Sequence, residues 1–229
     1  MTGYLTRDDT IVLIPARGGS KGIPRKNLRT VGDVPLVARS VRSAISAGRN
    51  WPVFVSTDDP EIAGVARTEG ARVVDRPAEL STDQASSEDA ISHFLDTTGT
   101  TTGSLIMIQP TSPFLQGDDL VRLAALRDGF DSGLTVCESH AFIWRAERDA
   151  TLSGVNHDPA VRKRRQDNTT EEFFENGAAY YMDVAGFLRH RHRFFGRIGF
   201  VSMPRLRSIE IDDPDDLALA DLISRVIER

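Results

Sequence analysis

Apolar positions along the chain fall into short continuous runs, separated by segments with a helical period. Ile11–Ile14 is a continuous apolar run of strand length, broken by Pro15 and the glycines after it. From Pro35 to Ala47, Leu36, Val37, Ser40, Val41, Ala44 and Ile45 share one helical face, and Gly48 suits a C-terminal cap. Val53–Val55 reads as the next strand. A helix then opens with Asp59 as N-cap and Pro60 at its first position, and stops at Gly70. Arg72–Val74 reads as a strand and Ser86–Asp96 as a helix, with Asp89 three residues after a Ser86 cap. The pattern repeats with Leu105–Ile108 as strand, Asp118–Arg127 as helix and Gly133–Cys137 as strand. Strands alternating with helices at this spacing imply βαβ units: an α/β, Rossmann-like domain with a mainly parallel sheet and helices on both faces.

The rhythm fails from Glu138 to Glu175, a stretch with few apolar residues that holds Arg162-Lys163-Arg164-Arg165. It reads as an excursion from the sheet. Regularity returns at Ala178–Met182 and Ile198–Val201. A strand is also expected over Ser208–Asp213, and a last helix capped by Asp213, with Pro214 first, runs to about Glu228. Thr97–Gly103 is of low complexity and reads as a mobile surface connection.

Composition narrows the classes. The 229 residues suit one domain, and a formal charge of −5 excludes a basic nucleic-acid coat protein, because a polyanion partner calls for net positive charge. The single cysteine, Cys137, leaves no intramolecular disulfide or zinc finger and reads as a buried small hydrophobe. Residues 1–10 carry Arg7, Asp8 and Asp9 without a signal peptide's apolar stretch, and no segment approaches a membrane span. A cytoplasmic protein without membrane or nucleic-acid partners is expected.

The candidate chemistry begins where the first strand ends, at Arg17-Gly18-Gly19-Ser20-Lys21-Gly22 and Ile23-Pro24-Arg25-Lys26-Asn27. Ligands of open α/β sheets bind beyond the carboxyl ends of strands. Glycines let backbone approach a ligand, free amides favour an anion, and Arg17, Lys21, Arg25 and Lys26 supply charge to match a triphosphate. The run is neither a P-loop nor a dinucleotide fingerprint; a structural turn with solvated cations is the alternative. Glu210 and Asp212 alternate with Ile209 and Ile211, so the carboxylates share one strand face and suit Mg²⁺, which accepts one or two protein carboxylates alongside phosphate oxygens. Two solvated acids before the Asp213 cap are an equally open reading. Arg76-Pro-Ala-Glu-Leu80, Ser86-Ser87 and Gln109-Pro-Thr-Ser-Pro113 are further loops at element ends, and a glutamine amide can both donate and accept.

In this order the blocks resemble the cytidylyltransferases that activate nine-carbon 2-keto sugar acids, the CMP-sialic acid synthetase family. The resemblance rests on residues 17–27 together with Val55-Ser-Thr-Asp58, Arg76-Pro-Ala-Glu-Leu-Ser-Thr-Asp83, Gln109–Pro113, Glu175-Asn-Gly-Ala178 and Ser208-Ile-Glu-Ile-Asp212, and spans residues 11 to 222. It implies a fold of the nucleotide-diphospho-sugar transferase type and transfer of CMP from CTP to the anomeric hydroxyl of a nonulosonic acid, with release of pyrophosphate. By the same resemblance Arg17, Gly18, Gly19, Ser20 and Lys21 would form the phosphate site, and Asn27, Arg76 and Ser87 would contact the cytidine. Gln109 would face the acceptor sugar with Asn176 near it, and Asp212, helped by Glu210, would hold Mg²⁺. Arg17, Lys21 and Asp212 would carry the catalysis.

The family's dimerisation region corresponds to residues 138–195, which implies a homodimer and gives Arg164 or Arg165 a role against the partner's acidic substrate, with a solvated basic run as the alternative. Phe142, Trp144, Phe173, Phe174, Phe194 and Phe195 within that region would form the interface. No histidine stands out as a base; His190 and His192 read as a solvated helix end, leaving metal-bound or substrate-assisted deprotonation. Sialate-activating members often carry arginine two residues before Asn-Gly-Ala, and here Phe174 stands there. An acceptor of another kind, a phosphonate or a different sugar acid, is therefore one alternative, and a non-catalytic nucleotide-binding module is another.

Overall fold

The computed structural model describes residues 9–161, 164 and 171–227. In chain order its elements are β1 (Thr10–Pro15), β2 (Thr30–Val31), β3 (Val34–Pro35), α1 (Leu36–Ser46), β4 (Val53–Thr57), α2 (Pro60–Thr68), β5 (Arg72–Asp75) and α3 (Ser87–Thr98). They continue with β6 (Ser104–Ile108), α4 (Gly117–Ala124), β7 (Ser132–Ser139), β8 (Trp144–Ala146), β9 (Leu152–Gly154), β10 (Glu172–Asp183), α5 (Val184–His190), β11 (Ile198–Ser202) and α6 (Pro214–Ile227). Seven strands form one sheet in the order β11-β7-β10-β6-β1-β4-β5. All its pairs are parallel except those of β10, which runs antiparallel to both β6 and β7.

Alternation along the strands sorts the core into two layers. Val12, Ile14, Val53, Val55, Ile106 and Ile108 pack with Val37 and Val41 of α1, Ile62 of α2, and Leu120 and Leu123 of α4. Ile11, Leu13, Leu105 and Met107 point the other way, onto Ile91, Phe94 and Leu95 of α3 and Phe187 of α5. Side chains one residue apart on a strand leave opposite faces, so each apolar run feeds both layers at once. The central strands are apolar throughout for this reason. A third cluster joins α6 to β2 and Leu36 through Ile23, Phe114, Ile211 and Ala220.

The helix starts follow their sequence signals. Asp59 accepts from the amides of Glu61 and Ile62, with Pro60 next to it, and Ser86 and Asp89 form a reciprocal capping box. Asp213 accepts from the amides of Asp215 and Asp216, while Asp216 reaches back to those of Asp212 and Asp213. Cys137 is buried.

Four expectations need correction. The helix expected over Asp118–Arg127 is α4 followed by a 3-10 turn at Ala125–Asp128. Thr97–Gly103 is tied down rather than loose: α3 runs to Thr98, whose hydroxyl bonds Phe94 O and the Thr100 hydroxyl, and Val184 N donates to Gly103 O. The departure from the sheet is shorter than Glu138–Glu175. Here β7 extends through Ser139, β10 is a central strand from Glu172, and the stretch between them contributes the β8–β9 hairpin. The run Glu172-Phe173-Phe174-Glu175, with neither strict alternation nor a continuous apolar stretch, hides a strand whose outer half pairs with β7 alone. Finally, Ser208–Asp213 joins no sheet; its one backbone tie to the neighbouring loop is Ile211 N to Thr111 O at 2.8 Å. The alternation inferred from it survives, since Ile211 is fully buried and Asp212 is exposed.

Candidate active site

The chain passes from β1 to β4 and β5 on one side, and later enters β6 on the other side of β1. Such a switch opens a crevice beyond the carboxyl ends of the strands. A pocket of about 410 Å³ lies there, lined by Pro15, Arg17, Ser20, Lys21, Gly22, Lys26 and Asn27 after β1, and by Gln109, Pro110 and Thr111 after β6. Arg76 enters from the end of β5, Ala85, Ser86 and Ser87 from the start of α3, and Glu210 and Asp212 from the segment before α6. Arg17, Ser20, Lys21, Asn27, Arg76, Ser87, Gln109, Glu210 and Asp212 therefore line one pocket, although they lie up to 195 positions apart in the sequence.

The loop after β1 differs from a bare nest of free amides. Gly18 N already donates to Asp58 Oδ1 at 2.9 Å, and Gly18 and Gly19 shape the turn between Arg17 and Ser20 rather than line the pocket. A Cβ on Gly22 would lie 2.3 Å from the carbonyl oxygen of Asp212, so only glycine lets this loop close on the carboxylate segment. Arg17 bonds the carbonyl of Thr82 and pairs with Asp83, which also meets Lys21. Asn27 is buried and donates to Arg17 O at 2.9 Å, bracing the loop from inside.

Arg76 is 8% exposed, and its Nε and Nη2 are buried without a hydrogen-bond partner. Burial pushes its guanidinium below the ordinary arginine range, with Asp58 opposing the shift and Arg17 adding to it. A buried guanidinium with open donors is costly unless a ligand completes it. It is the pocket's clearest request for an acceptor-rich partner.

Across the pocket, Lys26 donates to Ile211 O at 2.8 Å and pairs with Asp212 Oδ1 at 3.2 Å. Glu210 accepts from the Thr111 hydroxyl at 3.4 Å. Its carboxyl is raised above the ordinary range, first by burial and then by the charge of Asp212, with Thr111 and Lys26 pulling the other way. Two carboxylates lining one side of the pocket can accommodate a hard cation, although among the described residues no group of three or more His, Cys, Asp or Glu assembles a ready-made metal cage.

Asn176 is placed differently from the resemblance's expectation. It is buried, accepting from Thr135 Oγ1 at 2.7 Å and donating to Ser208 Oγ at 3.1 Å, so its amide ties β7 and β10 to the carboxylate segment. Gly177 takes a left-handed φ of 68°, and a Cβ there would lie 2.8 Å from the Glu210 carboxylate. The pair forms an irregularity in β10, where the register with β7 shifts between Glu175 and Tyr180. Arg165, with Arg162 and Lys163, lies outside the described residues.

Sequence reasoning missed three contributors. Lys26 stood only as one of four charges, yet it alone of them clasps Asp212. Asp83 ends the Arg76–Asp83 block, and nothing local to it points to its pairing with Arg17 and Lys21. Asp119, 1% exposed, accepts from the Gln116 amide, Arg122 and both terminal nitrogens of Arg207, and Arg207 also donates to Phe114 O. An aspartate in the first turn of an amphipathic helix is an ordinary sight, so only its opposition to an arginine 88 positions away reveals the brace.

An open, mainly parallel sheet with a polar, cation-lined pocket at its switch point defines a Rossmann-like α/β protein of the nucleotide-binding type. Residues 11–185 match the family model described as cytidylyltransferase, and the chain belongs to that family. N-acylneuraminate cytidylyltransferase A of Danio rerio is 40% identical over 174 residues, covering 74% of this chain and 40% of that one. N-acylneuraminate cytidylyltransferase of Escherichia coli O18:K1:H7 is 33% identical over 226 residues, covering 96% of this chain and 53% of that one. The chain thus spans about half the length of these curated relatives. Among solved structures, a CMP:2-keto-3-deoxy-manno-octonic acid synthetase complexed with CTP is similar in fold, with a TM-score of 0.69 and 17% identity over 96% of this chain and 100% of that one. Among the described residues no helix is long and apolar enough to cross a membrane.

Proposed function

We propose that this chain transfers CMP from CTP to the anomeric hydroxyl of a nonulosonic acid and releases pyrophosphate. The observation that carries the reading is the gathering of Arg17, Lys21, Arg76, Gln109, Glu210 and Asp212 around one pocket whose buried Arg76 still has open donors. The names of the similar proteins agree with it.

Arg17 and Lys21 take the phosphates, where charge shifts as the α-phosphorus is attacked. Donors fixed in advance at that place are the largest contributor to such chemistry. Arg76 satisfies its open nitrogens on the cytidine, with Ser87 beside it, and Asn27 reaches the base while holding Arg17's carbonyl. Gln109, at the end of β6, faces the acceptor. Glu210 and Asp212 are the pair that fits Mg²⁺, and the ion would supply charge neutralisation on the phosphate oxygens when bound. Pyrophosphate release from CTP, measured with a panel of sialic-type and other acidic acceptors, tests the reading. Release with a nonulosonic acid is expected; release with another acid alone redirects the acceptor, and none with any acceptor removes the activity.

Phe174 is the observation that keeps the acceptor's identity open, since it presents an exposed ring where an arginine would meet a carboxylate. Exposed aromatic side chains support assembly. Phe142, Trp144, Phe174 and Phe200 are exposed, although Phe200 packs on Phe173, whose side chain leaves the opposite strand face from Phe174. Phe194 and Phe195 pack into the subunit's own core and drop out of the expected aromatic interface. A two-fold homodimer covering these side chains follows from the reading. Light scattering should give about twice 25.2 kDa; a monomeric mass with full activity would remove the cross-subunit role given to Arg164 or Arg165.

A further inference from the structure

All four cations of the loop after β1 are matched by acidic residues. Arg25 pairs with Asp59 and Glu61, and Lys26 with Asp212. Arg17 and Lys21 share a single carboxylate: Asp83 Oδ1 lies 3.0 Å from Arg17 Nη2, and Asp83 Oδ2 lies 3.3 Å from Lys21 Nζ. The adjacent carbonyl of Thr82 accepts from Arg17 Nη1 at 2.5 Å. Three oxygens from two consecutive residues thus meet the donors that phosphate oxygens would use. A carboxylate dividing its oxygens between two cations is the nearest thing a protein chain has to a bound phosphate.

The segment that delivers Asp83 has fixed ends and an irregular middle. A 3-10 turn at Ala78–Leu80 closes one end, and the capping box of Ser86 and Asp89 closes the other. Residues 81–85 between them belong to no helix or strand. The contact is open to solvent at Lys21, whose side chain is 78% exposed, and at Asp83, 39% exposed, and more sheltered at Arg17, 30% exposed, so a more highly charged anion can compete for it.

We propose that residues 81–85 form an autoinhibitory strap in which Asp83 holds Arg17 and Lys21 in the nucleotide-free protein and is displaced by a triphosphate. This rests on the reading of Arg17 and Lys21 as phosphate ligands. The strap offsets the repulsion between Arg17 and Lys21 by placing one shared carboxylate between them until substrate arrives. It also makes every incoming phosphate compete with a carboxylate already in place.

The test is binding of CTP, inorganic triphosphate and cytidine to wild-type protein, Asp83→Asn and Asp83→Ala, measured by calorimetry at low salt with circular dichroism to check folding. Both variants should bind CTP and triphosphate about three- to tenfold more tightly than wild type, the range expected from losing two exposed ion pairs. Cytidine affinity should not move, and the gain should shrink at high ionic strength. Equal or weaker triphosphate binding by the folded variants overturns the strap. A wild-type protein that binds neither CTP nor triphosphate overturns the phosphate-loop reading itself, and that failure shows before any variant is compared.

Discussion

The two walls of the pocket are built to different standards. On the β1 side, Arg17 and Lys21 share one part-exposed carboxylate, and Arg17 also bonds the carbonyl beside it. On the opposite side, the short run Ser208–Asp212 is fixed at nearly every residue. Arg207 anchors it to Asp119 and Phe114, Ser208 to Asn176, Ile211 to Thr111 and the core, and Lys26 grips its end. On the proposed reading, the cationic wall exchanges the Asp83 carboxylate for a ligand that brings its own charge. The anionic wall must hold two like charges close together, which a loose segment would relieve by swinging apart. One wall adapts; the other resists.

The largest expected effect falls on the braced wall. Asp119→Ala strands Arg207 without its carboxylate and should cost about 3–5 kcal/mol of stability in urea unfolding, as when one partner of a buried pair is removed. Burial alone would raise the Asp119 carboxyl, yet the hydrogen bonds from Arg207, the Gln116 amide and Arg122 hold it below the ordinary aspartate range. Its contribution is therefore present above the unfolded pKa and lost as pH falls through the lowered folded value, so the wild-type advantage over Asp119→Asn should vanish in acid. A loss below 1 kcal/mol at neutral pH would show that the wall is not braced there.

Asp212→Ala should follow, lowering kcat by about 10²–10³ through loss of one charge at the reacting phosphates. Its side chain is 72% exposed, so the unfolding midpoint should stay put. Near-normal turnover in Mg²⁺ would remove the metal assignment. Base choice comes next: kcat/KM should favour CTP over UTP, ATP and GTP, because unmatched buried polar groups penalise the wrong base. Asn27→Ala should blunt that preference by about tenfold, and comparable values for CTP and GTP would refute the cytidylyl reading. The smallest effect should be that of Lys21→Ala on stability, within about 0.5 kcal/mol, as befits a solvated side chain. A loss as large as that of Asp119→Ala would erase the distinction between the walls.

What the sequence made legible follows the same division. Strands and helices with strong periods were readable because burial on two sheet faces demands continuous apolar runs, as in Ile11–Ile14 and Leu105–Ile108. Asp59, Ser86 and Asp213 announced their helices because capping is local chemistry. The outer half of β10 stayed hidden, since Glu172–Glu175 pairs on one side only and carries no two-faced apolar signal. Candidate pocket residues could be named one by one from the order of the blocks. Their supports could not. Asn176 was expected toward the acceptor, but its amide serves Thr135 and Ser208, and the Asp119–Arg207 brace joins positions that no local pattern relates.

The irregularity at Asn176–Gly177 divides β10 into two stretches with separate duties. The stretch from Ala179 to Asp183 is clamped between β6 and β7, while Glu172–Glu175 is stitched to β7 alone. Because the register slips between them, a change in the outer stretch is not transmitted along the strand as a shift of every inner side chain. Diversity introduced at residues 172–174, where Phe174 stands, can therefore be sampled with the core layers undisturbed. On the proposed reading of the acceptor site, that half-strand is a natural place for a combinatorial library, and Asn176 and Gly177 behind it are positions to leave untouched.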